Sequence, residues 1–252
     1  TVPSDPRLPT SGQQLTYALL NPNAFGRVDN YLTKASDFGD MSYYWQGLGL
    51  TVDARTSGGV TLQGGFTSGP GHRDQCDIWA ALPEQTVSLG VTYPVTACRT
   101  DEPWLWNWRG LASYVVPKVD VQISGIFRSQ ANVATTNDPA SSGLSQRADY
   151  FETAANVRNQ LGHGIAGGAP TVTLNLAPQG LVFPERLTTV DMRFTKILRI
   201  GRTRTNVGVD LYNLLNANTG TSFNQNFGRD GSTWLRPNAI LNPRYVRFNA
   251  TI

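Results

Sequence analysis

Apolar and polar residues alternate with a period of two in several stretches of this chain, and tight turns join those stretches in pairs. In residues 44–55, Tyr44, Gln46, Leu48, Leu50, Val52 and Ala54 share one face, and Trp45, Gly47, Gly49, Thr51, Asp53 and Arg55 share the other. Past Thr56-Ser57-Gly58-Gly59, Val60, Leu62, Gly64 and Phe66 alternate with Thr61, Gln63, Gly65 and Thr67, which predicts a hairpin. A second hairpin sets Trp104, Trp106, Trp108, Gly110, Ala112 and Tyr114 opposite Asn107, Arg109 and Ser113. It turns at Pro117-Lys118 and returns with Val119, Val121, Ile123, Gly125 and Phe127 opposite Asp120, Gln122, Ser124 and Arg128. A third occupies 186–215 around a turn at 199–202. Val190, Met192, Phe194 and Leu198 oppose Asp191, Arg193 and Thr195, and Val207, Val209 and Leu211 oppose Asn206, Asp210 and Tyr212. The last strand, 244–252, carries Val246, Phe248, Ala250 and Ile252 against Tyr245, Arg247, Asn249 and Thr251. With a weaker alternation at 14–20, eight strands are expected.

The connections decide which β fold this is. They alternate between short turns (56–59, 117–118, 199–202) and long loops (70–103, 130–185, 216–243), the arrangement of an outer-membrane barrel with periplasmic turns and extracellular loops. A soluble sandwich would dress its polar faces with Lys and Glu. Here charged residues are only 15% of the chain, against about 25% in ordinary soluble domains, and the basic side is 18 Arg with three Lys. Trp104 and Tyr114 lie ten residues apart on one face. At ~3.3 Å per residue and a tilt of ~40°, they are ~25 Å apart along the membrane normal, the height of an apolar band between two aromatic girdles. Trp104, Trp106, Trp108 and Tyr114 are therefore assigned to the girdles, with sugar stacking on the Trp residues as the alternative and a sandwich core as the rival location.

Other classes fit less well. No stretch approaches the ~18 uninterrupted apolar residues of a transmembrane helix. A formal charge of +3 is too small for a nucleic-acid surface, and no nucleic-acid partner is expected. Cys76 and Cys98, 22 apart in a stretch rich in Gly, Pro and Asp, fit a loop disulfide in an oxidising compartment; two unpaired thiols are the alternative. His72 and His163 fall in loops without a nucleophile at a recognisable spacing, so no catalytic residue is assigned and no enzyme is expected. The run from His72 to Asp77 could be drawn as a metal cluster, but a disulfide explains its cysteine better; neither metal nor cofactor is expected. Ala148, Phe151 and Ala155 are at helical spacing within 145–160, which predicts a short amphipathic helix.

The candidate site is the polar face of the strands. Asp53, Arg55, Arg109, Arg128, Asp191, Arg193, Arg204, Asp210 and Arg247 would face a protein-lined lumen, where such groups pair with each other, with a plug or with water. Mutual pairing is the plainer reading. Arg109, Arg128, Asp191, Arg193, Asp210 and Arg247 are the candidates for contact with a substrate, because the planar guanidinium makes paired bonds to carboxylates.

Three segments carry a family resemblance. Thr189-Val190-Asp191-Met192-Arg193-Phe194-Thr195-Lys196, then Gly208-Val209-Asp210-Leu211-Tyr212-Asn213-Leu214-Leu215-Asn216, then Asn238-Ala239-Ile240-Leu241-Asn242-Pro243-Arg244 with Val246-Arg247-Phe248, resemble the end of a TonB-dependent outer-membrane receptor. The branch with a carboxypeptidase-regulatory-like domain is the nearest, and the segments at 43–55 and 114–125 resemble it as well. The resemblance covers roughly 41–70, 104–130 and 186–252 and leaves the long loops unmatched. It implies an antiparallel barrel of about 22 strands closed by an N-terminal plug, of which this chain would be the C-terminal portion. It further implies import of a large or scarce nutrient, driven through the plug and the TonB complex by the inner membrane. The expected partners are outer-membrane lipid, the rest of the barrel, the plug and the TonB complex. The expected location is the outer membrane of a Gram-negative bacterium, with extracellular loops and a periplasmic C-terminus. The outward parity of 246–252 would continue at 254, where an aromatic ending is expected. The rivals are a complete small barrel of eight to ten strands with an adhesive or structural role, and a secreted β-sandwich that binds carbohydrate.

Overall fold

The computed structural model describes residues 1–30, 32–131, 146–177 and 179–251. Seven strands form one antiparallel sheet in which each pairs with the next along the chain: β1 (Leu48–Arg55), β2 (Val60–Gly69), β3 (Leu105–Val116), β4 (Val121–Gln130), β5 (Leu187–Ile200), β6 (Thr203–Tyr212) and β7 (Tyr245–Thr251). The register joins like with like. Leu50 lies opposite Phe66 and Phe66 opposite Trp108, while Val209 lies between Phe194 and Phe248. On the other face Arg193 lies between Ser124 and Asp210, and Asp210 opposite Arg247. A slip of one residue would invert every one of these pairs, so the alternation of the sequence holds the register.

The fold is all-β, and no helix is long and apolar enough to cross a membrane. Short turns at 56–59, 117–120 and 201–202 close one end of the sheet. The middle turn is longer than expected: Lys118 and Asp120 take positive φ (69° and 47°), Val116 pairs with Val121, and Val119 stays outside the strand. β1 and β7 are the two edges, and among the described residues neither pairs with a further strand, so the sheet does not close on itself. Ile252, assigned to the outward face, lies outside the described residues.

Three expectations are corrected. Residues 14–20 form no strand; Tyr17 makes a single bridge to Pro94, and the segment belongs to the loop layer, leaving seven strands in the sheet rather than eight. The strand expected over 44–55 breaks at Gln46-Gly47. The Trp45 indole folds over Gly47 and Gly69, where a Cβ would come within 2.2 and 2.7 Å of its ring, and Ser42–Trp45 turns away to pair with Gly71–Asp74. The helix expected within 145–160 is a strand, Asp149–Thr153, followed by α2 (Ala154–Leu161); residue 145 lies outside the described residues. Pairing with Thr171–Asn175 claims 149–153. The Thr153 hydroxyl then caps the helix at Asn156 N–H, and Gly162 ends it at φ 75°.

The long loops build a second layer at the opposite end from the turns. Ser42–Trp45, Gly71–Asp74 and Arg99–Asp101 form one small sheet, and Asp149–Thr153, Thr171–Asn175, Val91–Thr92 and Val87–Ser88 another. The helix α1 (Cys76–Ala81) follows the first, and the disulfide Cys76–Cys98 ties it back. The layer has hydrophobic cores of its own: Val2, Leu8, Leu176, Val182, Phe227 and Trp234 in one, and Trp79, Val91, Tyr93 and Ala97 in the other. Among the described residues the seven strands contribute one buried apolar side chain, Ile197.

Candidate functional site

The polar face of the sheet is centred on Asp210, in the middle of three adjacent strands. From β5, Arg193 donates through Nε (2.5 Å) and Nη2 (2.9 Å); from β7, Arg247 donates through Nη2 (2.9 Å) and Nε (3.2 Å). The Tyr212 hydroxyl adds a longer bond of 3.4 Å. Two guanidinium forks thus cover one carboxylate, whose side chain is 4% exposed while those of Arg193 and Arg247 are 50% and 57% exposed. Arg247 also lies 5.4 Å over the Tyr212 ring, and Tyr212 stacks on Tyr245 at 4.6 Å. A cavity of about 450 Å³ opens along this face, with Gln122, Ser124, Asp191, Arg193, Thr195 and Asp210 among its walls.

The remaining candidates divide differently. Asp191 accepts the Asn213 backbone N–H at 2.8 Å, so it holds the end of β6. Asn213 takes φ 49°, and its amide donates to the carbonyls of Ala217 and Asn242 and accepts the Ala217 N–H. Asn216, at φ 51°, accepts the Arg244 N–H. The Asp-Leu-Tyr-Asn-Leu-Leu-Asn segment therefore has a mechanical explanation: it stops one strand, anchors the loop at both ends and delivers the chain into the next strand. Arg109 and Arg128 lie directly opposite each other on β3 and β4, and neither enters an ion pair among the described residues. Like charges in this position repel, so among the described residues this half of the face carries two facing cations without an ion-pair partner.

The other face is apolar and largely exposed among the described residues. Leu48, Leu50, Val52, Trp108, Val207, Val246 and Phe248 are all exposed, Phe248 at 80%. Trp104 and Trp106 are exposed at the loop end, while Tyr114, near the turn end, is half-buried. Phe66 and Trp108 pack together at 4.3 Å. The Arg186 guanidinium lies 3.9 Å over the Trp106 ring and donates to the carbonyls of Trp106 (2.6 Å) and Ser129 (2.7 Å). Sequence reasoning did not single out Arg186 or Asn213. Asn213 and Asn216 left a trace, since paired Asn residues just past a strand favour positive φ. Arg186 left none, because its partners are carbonyls and a ring far along the chain.

In the loops, His72 pairs with Asp101 at 2.6 Å and stacks on Tyr44, and His163 meets the Gly164 carbonyl at 2.9 Å. The bonds from His72 and then Arg99 hold the Asp101 carboxyl below its ordinary range. Cys76 is spent in the disulfide, and no group of three or more His, Cys, Asp or Glu is gathered for a metal among the described residues. Comparisons with protein-family models, curated proteins and solved structures find no match to this chain.

Proposed function

We propose that this chain is a section of the β-barrel of a TonB-dependent outer-membrane receptor, which imports a large or scarce nutrient with energy supplied from the inner membrane. The observation that carries this reading is the way the sheet is dressed. Apolar side chains cover one face and stay largely exposed among the described residues, and the charges around Asp210 gather on the other. In water the apolar face would be an aggregation surface; against lipid it is the outer wall of a barrel. The short turns then lie in the periplasm and the folded loops outside. The edges β1 and β7 pair with further barrel strands, because each unpaired backbone group in hydrocarbon costs several kcal/mol. The lumen receives the plug, which carries the contact to the TonB complex.

The test uses the full-length protein in Gram-negative cells. The two cysteines of this chain are joined to each other, so within it one introduced thiol is labelled alone, and the protein without the introduced thiol is the control. Val207→Cys should react with a bilayer-confined maleimide, and Asn206→Cys with a water-soluble one, in protein recovered from the outer membrane. Uptake of the nutrient should cease without TonB. A soluble protein, or the opposite labelling pattern, overturns the proposal.

A further inference from the structure

We propose that a cleft in the loop layer, beside the strand Ser42–Trp45, is a carbohydrate-binding site in which Tyr43 and Trp45 are the platforms for sugar rings and Arg73, Glu102 and Gln179 bond their hydroxyls. The cleft measures about 390 Å³, with Tyr43, Trp45, Arg73, Thr100, Glu102 and Gln179 among its walls. Alternation puts Tyr43 and Trp45 on one side of the strand, and the register carries that side across to Arg73 and Thr100. Tyr44 and His72, stacked at 4.8 Å, also border the cleft. Both rings are open to a ligand: Tyr43 is 82% and Trp45 56% exposed.

The site is held in shape. The Trp45 ring rests over Gly47 and Gly69, and the Glu102 carboxylate lies over Gly71, where a Cβ would come within 2.6 Å of its oxygen. Three glycines thus leave room for a platform and an acceptor. Gly71–Asp74 is paired on both sides, and the Cys76–Cys98 disulfide closes the frame just beyond. The side chain of Glu102 meets no donor among the described residues, so its two oxygens are available to a ligand.

The chemistry selects a sugar. An exposed ring offers a flat face to the C–H side of a pyranose, and a guanidinium, a carboxylate and an amide are planar groups that bridge neighbouring hydroxyls. One cation and one anion leave no preference for a strongly charged ligand. Trp45 and Glu102 also wall a second cavity of about 260 Å³ that includes Asn107 and Arg109, so the cleft leads onto the polar face of the sheet. The site therefore deepens the proposed function by naming its substrate class. It takes from that reading only the direction of travel; binding does not depend on it.

The experiment titrates full-length protein in detergent with maltohexaose, cellohexaose, xylohexaose and mannohexaose, read by tryptophan fluorescence and calorimetry. At least one should bind saturably. Trp45→Ala and Tyr43→Ala should each weaken it about tenfold, the loss of one stacking contact. Trp45→Phe should recover most of the affinity, and Phe248→Ala, on the opposite face of the sheet, should not change it. An intact disulfide in each variant checks the fold. Failure of all four sugars, or unchanged binding in Trp45→Ala, overturns the proposal. Sugar binding by a protein absent from the outer membrane would overturn the receptor reading and leave this one standing.

Discussion

The seven-stranded sheet and the loop layer use the same residue types in opposite ways. In the sheet, Leu50, Val207 and Phe248 lie exposed on one face and the charges around Asp210 gather on the other; in the layer, Trp234, Phe227 and Tyr93 are buried at 1% exposure. The layer is therefore a conventional folded unit whose stability comes from removing apolar surface from water. The sheet buries little of its own, holding itself by ladder hydrogen bonds and cross-strand pairs. One chain thus contains two regions that bury apolar surface to different extents, and each should fail for a different reason.

The largest effect should come from the layer. Trp234 packs edge-on against Phe227 at 5.5 Å, and its indole N–H donates to the Arg147 carbonyl at 2.7 Å. Trp234→Ala should cost about 3–5 kcal/mol by opening a cavity, and should raise hydrogen exchange across 146–177 and 216–243 without loosening β1–β7. Phe248→Ala opens no cavity. In a bilayer it should cost about 1.5–3 kcal/mol, the transfer of one ring, and should leave exchange in the layer unchanged. If both substitutions loosen the same segments, the two regions are one cooperative unit and the contrast is false.

A comparable effect should follow reduction of Cys76–Cys98. Closing a ring over a sequence separation of 22 contributes about 3 kcal/mol in the loop-closure model. Reduction should loosen Gly71–Asp74, α1 and Arg99–Asp101, while the register from Leu48 onward persists. Loss of the sheet itself on reduction would show that the layer supports the strands, reversing the dependence drawn here.

The sheet was legible in the sequence and the layer was not, for one physical reason. A strand facing two environments writes its structure into its own alternation, as Val207, Val209 and Leu211 against Asn206, Asp210 and Tyr212 show. In the layer the burial of each residue is set by distant partners. Trp234 is covered by the chain's first residues, where Arg7 donates to the carbonyls of Trp234 (3.2 Å) and Gly231 (2.6 Å), and nothing near 234 announces it. Local spacing misled at 148–155 because Ala148 is buried against that long-range core and 149–153 is claimed by a partner strand. The candidate site was half legible. Alternation placed Arg193, Asp210 and Arg247 on one face, but only the register made them a cluster and left Arg109 facing Arg128.

The smallest expected effect separates the two regions by acid. Asp5 is buried in the layer and accepts the Arg7 backbone N–H (2.9 Å), Nε (3.0 Å) and Nη2 (2.6 Å), while Arg7 reaches on to the 231–234 turn. The Arg7 guanidinium bond holds the Asp5 carboxyl below its ordinary 3.8, against the opposing effect of burial. A carboxyl whose folded value lies below its unfolded value stabilises the fold above the unfolded value and loses that contribution as pH falls through the folded one. Arg7 is 44% exposed, so the contribution is discounted to about 1 kcal/mol. Asp101, held low by His72 and Arg99, adds to the same trend from an exposed position. Between pH 5 and pH 3, roughly the span around an ordinary Asp value, hydrogen exchange in residues 1–15 and 227–236 should rise while β1–β7 stay protected. Asp5→Asn should raise exchange there at neutral pH and flatten the acid response. If Asp5→Asn leaves the acid profile intact, the tether between the chain's start and Trp234 does not depend on the Asp5 carboxylate, and another group sets the layer's sensitivity to acid.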